Sequence, residues 1–266
     1  MKPKVLVLKT DGINCDEETA FAFNLSGGSA KIVHINDLRN KKDSFNNYQI
    51  LAIPGGFSYG DDVVSGKILA IELASFFLEE LEKFIKRKDT LVIGICNGFQ
   101  VLVRTGLLPF GKLGEMHATL TNNDSGKFEC RWINLKIQDN NNCVFLKNLA
   151  GKNVSYQVAH GEGKFLTDQV TLKNIEQQKL VTFRYTDAKN KATQKYPNNP
   201  NGALNAIAGI CDPSGRILGL MPHPERFIFR EQHPNWRRIL NLKPQGLPIF
   251  ENMIKYVKSN WEGGIK

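Results

Sequence analysis

Cys96 stands between Gly94 and Gly98, where the apolar run Leu91 to Ile95 gives way to a helix-permissive run, Phe99 to Leu102. The run is too short for a helix and is bounded by Asp89-Thr90, so it reads as a buried strand. Gly-x-Cys-x-Gly between a strand and a helix is the cysteine form of a nucleophile elbow, with small neighbours that leave room for a substrate. A helix N-terminus at Cys96 would place unpaired N–H groups and the positive end of the dipole beside the sulfur, which favours negative charge there. Gln100 follows on the same helix face. A free cysteine on its own most often just packs in a core. The glycine bracket and the strand–helix setting point instead to a nucleophile.

A nucleophilic cysteine needs a base, and Met221-Pro-His-Pro-Glu-Arg226 supplies one. His223 and Glu225 are two residues apart, so in extended backbone they point the same way. An imidazole held by a carboxylate is the base-plus-orienter half of a Cys-His-acid triad. Prolines on both sides of His223 restrict its backbone. Two further stretches could complete a site. Pro54-Gly-Gly-Phe-Ser-Tyr-Gly-Asp-Asp62 follows an apolar run and could expose backbone N–H groups as an oxyanion hole, although Pro-Gly-Gly also marks ordinary turns. Ala159-His-Gly-Glu-Gly163 offers His160 and Glu162 for catalysis or, preferably, for lining a substrate pocket. His34 and His117 sit in strand-like contexts and His233 in a polar loop, and Cys15 reads as structural.

The elements that must position these residues alternate. Strands are expected at Val5–Leu8, Ala30–Ile35, Gln49–Ile53 and Leu91–Ile95, separated by a helix capped by Asn14 or Asp16, a polar connection from Asp37 to Asn47, and one long amphipathic helix from Gly66 to Arg87. That alternation predicts an α/β, doubly wound, mostly parallel sheet with the chemistry at the strands' carboxyl ends. After Gly106 come short strands at Leu113–Leu120, Phe128–Gln138, Val154–Ala159 and Leu180–Tyr185. They form a mixed or antiparallel extension of one domain spanning 1–266. Ala203–Cys211 and Arg216–Met221 form a hairpin that delivers His223, and Ile249–Val257 is a closing helix.

Composition narrows the function. At 266 residues with 41% hydrophobic content the chain can bury a sizeable core. No apolar run reaches membrane-spanning length, and the N-terminus reads as a strand and not a signal peptide. Five scattered cysteines without a Cys-x-x-Cys argue for a reducing, cytoplasmic setting and against a disulfide framework or a zinc site. The whole formal charge of +9 lies in residues 134–266, mostly as isolated basic residues, which suits solvated surface or a partner's docking face better than nucleic acid. Gly106-Leu-Leu-Pro-Phe-Gly-Lys-Leu113 nearly matches a phosphate-binding loop but ends in Leu where Ser or Thr must hold magnesium. No metal or cofactor is therefore expected in this chain.

Gly94-Ile-Cys-Asn-Gly-Phe-Gln100, Pro54-Gly-Gly-Phe-Ser-Tyr-Gly-Asp61 and Pro222-His-Pro-Glu225 together resemble the class I (triad) glutamine amidotransferases. Gly12-Ile-Asn-Cys-Asp16, Phe128-Glu-Cys-Arg-Trp132, Ala159-His-Gly-Glu-Gly163 and Asn198-Asn-Pro-Asn-Gly202 narrow the resemblance to the glutaminase subunits of phosphoribosylformylglycinamidine synthases, in purine biosynthesis, over nearly the whole chain. Two stretches depart from that pattern: Asp62-Val-Val-Ser-Gly-Lys67, and a segment from Phe227 to Leu247 longer than in the shortest free-standing subunits. The resemblance implies a flavodoxin-like fold, Cys96 as nucleophile, His223 as proton carrier and Glu225 as its orienter. It also implies an oxyanion hole from the N–H groups of Gly56 and Asn97, and glutamine held by Gln100, His160 and Gly161. The expected partner is a synthetase chain, which carries ATP, magnesium and formylglycinamide ribonucleotide, with a small accessory subunit in some complexes. An amidotransferase for another synthase would keep the triad and lose the narrower motifs. A cysteine-elbow hydrolase of similar fold would need only Cys96.

Overall fold

Strand β1, Lys4–Lys9, opens the chain, and a computed structural model describes residues 2–139 and 141–261. In chain order follow α1 (Asp16–Leu25), β2 (Ser29–His34), α2 (Ile35–Arg39), β3 (Ile50–Ile53), α3 (Lys67–Phe76), α4 (Leu78–Lys86), β4 (Leu91–Ile95) and α5 (Asn97–Arg104). The second half holds β5 (Ala118–Thr121), β6 (Glu129–Ile137), β7 (Asn153–His160), β8 (Lys164–Thr167), α6 (Gln169–Gln177), β9 (Val181–Thr186), β10 (Ile207–Cys211), β11 (Ile217–Leu220) and α7 (Leu247–Asn260).

Nine strands form one sheet in the order β2-β1-β3-β4-β11-β10-β9-β6-β7, and β5 pairs with β8 apart from it. The first five strands of that order are mutually parallel and the remaining pairings are antiparallel. This is the α/β sheet with a mixed extension that the alternation predicts. The central strands β3, β4 and β11 are buried along their whole length. Their unbroken apolar composition, Ile-Leu-Ala-Ile in β3, suits a sheet covered on both faces. The antiparallel half curls back: β7, at the far edge, bridges to the loop after β11 through the His223 N–H to Gln157 carbonyl bond of 2.8 Å. That closure brings the end of β7 over the carboxyl ends of β4 and β11.

Four local expectations are corrected. The helix expected over 66–87 breaks at Phe77 (φ −128°, ψ 17°), which lets Phe77 turn inward against Phe45 with ring centroids 5.6 Å apart. The connection after β2 contains α2 and a single 3₁₀ turn at Phe45–Asn47, whose Phe45 is buried. Neither Asn14 nor Asp16 caps α1; Asp16 is its first residue and pairs with Lys9 at 2.7 Å. Within the strand expected over 113–120 only the last residues, from Ala118, are extended.

Candidate active site

The elbow forms as its spacing predicts. Cys96 adopts φ 52°, ψ −104° between β4 and α5, an uncommon conformation for a residue with a side chain, of the kind that persists where surrounding structure enforces it. What enforces it is close packing beneath the turn. A Cβ on Gly98 would lie 1.9 Å from the Ile53 carbonyl oxygen, and one on Gly94 would lie 2.4 Å from the Gly98 carbonyl oxygen. Only glycines let α5 sit this tightly on β3 and β4. Asn97 begins α5, in the first turn where N–H groups lack acceptors within the helix.

Around Cys96 the parallel strands deliver the other groups. Gly55 and Gly56 follow β3, and Gly56 has φ 140°, a conformation that a side chain would strain. A Cβ on Gly55 would meet His223 Cε1 at 2.7 Å, Cys15 Sγ at 3.1 Å and Cys96 Cβ at 3.4 Å. Gly55 therefore fills the wedge where the histidine and two cysteines converge. His223 and Glu225 follow β11; Nδ1 of the imidazole and Oε1 of the carboxylate are 2.5 Å apart, and both side chains are buried. Burial alone would drive the proton off His223. The Glu225 carboxylate and the Cys96 and Cys15 sulfurs overturn that and hold the imidazole's pKa well above the ordinary histidine range. The Cys96 sulfur points to the Ala159 carbonyl at 3.6 Å, so β7 forms the opposite wall.

The residues expected to hold substrate have their own partners. The Gln100 amide donates to the Glu162 carbonyl at 2.6 Å and accepts from Asn97 Nδ2 at 3.0 Å. The Nε2 end of that side chain thus braces α5 against the 161–163 loop, while its Oε1 end is held by Asn97 within the helix. The Gly161 carbonyl accepts from the Asn123 N–H at 2.9 Å. His160 is buried, with Nδ1 3.1 Å from Asn123 Oδ1. Burial, with His223 nearby, pushes its pKa down to about 3. The His160 ring should therefore show no NMR titration between about pH 5 and 9, and movement centred near 6.5 would contradict its burial. In turnover, His160→Ala is expected to raise the apparent KM for glutamine more than it lowers kcat, and the opposite pattern would make His160 a catalyst.

Sequence reasoning missed the supports of this site. Asp61 binds the Asn97 amide at 3.1 Å, the Ser65 hydroxyl at 2.8 Å and the Gly66 N–H at 3.3 Å, fastening the glycine loop to α5. Its burial, and the charge of Glu162, raise its pKa, opposed by those hydrogen bonds. Asn123 holds the 160–163 loop through the His160 carbonyl (2.8 Å) and the Gly163 N–H (3.0 Å). Cys15, read as structural, lies beside His223, with Arg226 Nη2 donating to its sulfur at 3.1 Å. Burial pushes the Cys15 thiol up to about 11. Only its place in Gly12-Ile-Asn-Cys-Asp16, among the motifs of the resemblance, hinted at this.

Comparison with known proteins agrees with this geometry. Residues 2–257 match the model of the CobB/CobQ-like glutamine amidotransferase domain. The chain is 45% identical to phosphoribosylformylglycinamidine synthase subunit PurQ of Dehalococcoides mccartyi, over 97% of this chain and 98% of that protein. It is 43% identical to the subunit of the same name from Methanococcus maripaludis, over 96% and 99%. Among solved structures, PurLQS from Thermotoga maritima matches with a TM-score of 0.74 and 28% identity, over 97% of this chain and 100% of that one. A buried Cys-His-Glu set on a mixed α/β sheet, matched over nearly its full length, makes this chain a member of the CobB/CobQ-like glutamine amidotransferase family.

Proposed function

We propose that this chain is the glutaminase subunit of a phosphoribosylformylglycinamidine synthase. It releases ammonia from glutamine and passes it to a synthetase chain, which uses it with ATP to convert formylglycinamide ribonucleotide to formylglycinamidine ribonucleotide. The observation that carries the reading is the convergence of Cys96, His223 and Glu225 at the carboxyl ends of β4 and β11, in a chain similar over its length to subunits of that synthase.

In this reading the Cys96 sulfur attacks the side-chain amide carbon of glutamine. Negative charge that develops on the amide oxygen is met by N–H groups of Gly56 and Asn97, at a loop and a helix start whose donors are set in place beforehand. His223 gives its proton to the departing nitrogen, leaving a glutamyl thioester and free ammonia. It then takes a proton from water as the water attacks the thioester, and glutamate leaves. Glu225, bonded to Nδ1, fixes the ring's orientation and supports its positive form. Gln100, His160 and Gly161 shape the glutamine pocket, Gln100 by bracing its walls.

ATP and magnesium belong to the synthetase partner in this reading. The Gly106–Leu113 stretch forms turns between α5 and β5 and follows a helix, not a strand, unlike a nucleotide-binding loop. A small third subunit and a cytoplasmic location are part of the same proposal; the latter rests on five free cysteines. Among the described residues no helix is long and apolar enough to cross a membrane. Assaying glutamine hydrolysis and ribonucleotide amidation with and without the synthetase tests the reading. Coupled activity only with that partner is expected. Coupling to a different synthase, or hydrolysis indifferent to any partner, would overturn it.

The 227–247 segment is where docking is expected. Phe227 anchors it beneath Trp132 (centroids 5.3 Å apart), while Arg237, Arg238, Ile239 and Leu240 are exposed, and Arg237 lies over Trp236 at 5.0 Å. Rim charges mainly steer association and are screened beyond a Debye length of roughly 8 Å at physiological salt. Reversing Arg237 and Arg238 to Glu should slow complex formation and flatten its salt dependence, with stimulation recovering in excess partner. An unchanged rate and salt slope would make this basic segment mere solvated surface.

A further inference from the structure

Cys15, Glu18, His223 and Glu225 come together from the loop after β1, the first turn of α1 and the loop after β11. One sulfur, nitrogen or carboxylate oxygen from each lies within 4.8 Å of the others. Cys15, His223 and Glu225 are buried and Glu18 is half-buried. Two side-chain atoms of these residues, Glu225 Oε2 and His223 Nε2, are fully buried and have no hydrogen-bond partner among the described residues. A buried carboxylate oxygen without a partner is costly, so a group that satisfies it is strongly favoured. One sulfur, one imidazole nitrogen and two carboxylates form a zinc-type donor set. Tetrahedral zinc with its usual bond lengths sets ligand atoms roughly 3.3–3.6 Å apart, so the cluster closes with side-chain shifts of about 1 Å. Arg226 now lends it positive charge, through Nη2 at 3.1 Å from Cys15 Sγ and Nε at 2.9 Å from Glu18. That side chain is 26% exposed and can turn outward.

We propose that Cys15, Glu18, His223 and Glu225 form an inhibitory zinc site, in which a bound Zn²⁺ draws His223 away from Cys96 and reversibly stops glutamine hydrolysis. No bond to carbon forms or breaks; the dication replaces one proton on the Cys15 thiol and one on the His223 imidazole, so the buried group's net charge is unchanged. The inhibition rests on His223 as the proton carrier, but the binding can be read without turnover.

The test titrates Co²⁺ into the metal-free full chain and follows thiolate-to-cobalt charge-transfer absorption. One ion per chain is expected, displaced by Zn²⁺, and zinc should inhibit hydrolysis until a chelator removes it. The band should persist in Cys96→Ser and vanish in Cys15→Ser, whose thermal melt checks that it is folded. Glu18→Gln, at a half-exposed position, should weaken binding and zinc inhibition at least about tenfold. A band lost in Cys96→Ser and kept in Cys15→Ser would put the metal on the nucleophile and overturn the proposal. So would the absence of binding at micromolar Zn²⁺.

Discussion

Cys96→Ala in the assembled synthase is expected to abolish glutamine-dependent synthesis and leave synthesis from added ammonia intact. The reason is positional. Cys96 is held by packing at the strand–helix turn, next to His223, in the chain that handles glutamine, whereas amidation belongs to the synthetase. A sulfur-to-hydrogen change at a buried position leaves only a small void, so loss of fold does not explain a selective effect. Removing one member of a nucleophile–base unit costs most of its catalysis, roughly 10⁶-fold in turnover for a well-studied serine enzyme. If ammonia-dependent synthesis falls equally in a folded complex, Cys96 has a structural role instead. The same substitution at Cys130, the exposed cysteine, should change neither rate.

The second large effect is expected at the histidine and its carboxylate. Glu225→Ala should lower the glutamine-dependent rate by orders of magnitude, on the order of 10⁴ by analogy with loss of a triad's acid. His223→Ala should lose as much or more. Their 2.5 Å contact, inside a site that excludes water from both, makes them one unit, so the double variant should be little worse than the worse single. Additive losses would mean that the two residues act separately. Glu225→Ala should also lower the imidazole pKa, because the carboxylate is the largest influence opposing burial. With the folded pKa raised, the ion pair's contribution to stability is complete below the unfolded histidine's ordinary value. It is lost as pH rises through the folded one.

Much of this site was legible because its chemistry sits on short, local signals. The glycines around Cys96 are required by backbone contacts under 3 Å, and prolines flank His223 where the chain must leave β11 in one direction. What could not be read depends on contacts between residues far apart in sequence. Cys15 reaches the site only because β1 lies beside β3, and Asn123 matters only because its side chain grips residues 160–163. Gln100 follows Cys96 on the same helix, but its long-range partner, the Glu162 carbonyl, appears only when β7 folds over the sheet. The break at Phe77 illustrates the same limit. The apolar stripe of 66–87 fits one helix, yet the pocket beside Phe45 decides otherwise. Helix α6 was missed because its first turn places Val170 in solvent, 71% exposed, and blurs the periodicity; its cap is plain, with Asp168 accepting from the Val170 and Thr171 N–H groups at 2.9 and 3.0 Å.

The most direct measurement traps the intermediate. Complex turning over isotopically labelled glutamine is quenched in acid, digested, and its cysteine peptides are mapped by mass spectrometry. Cys15 lies against the same histidine as Cys96, so the molecule contains its own control for a sulfur that is near the base but not on the elbow. A glutamyl thioester on the peptide containing Cys96, absent from Cys15 and lost in Cys96→Ser, is the expected result. Label on Cys15, or none on any cysteine of a complex that is demonstrably turning over, would contradict Cys96 as the nucleophile.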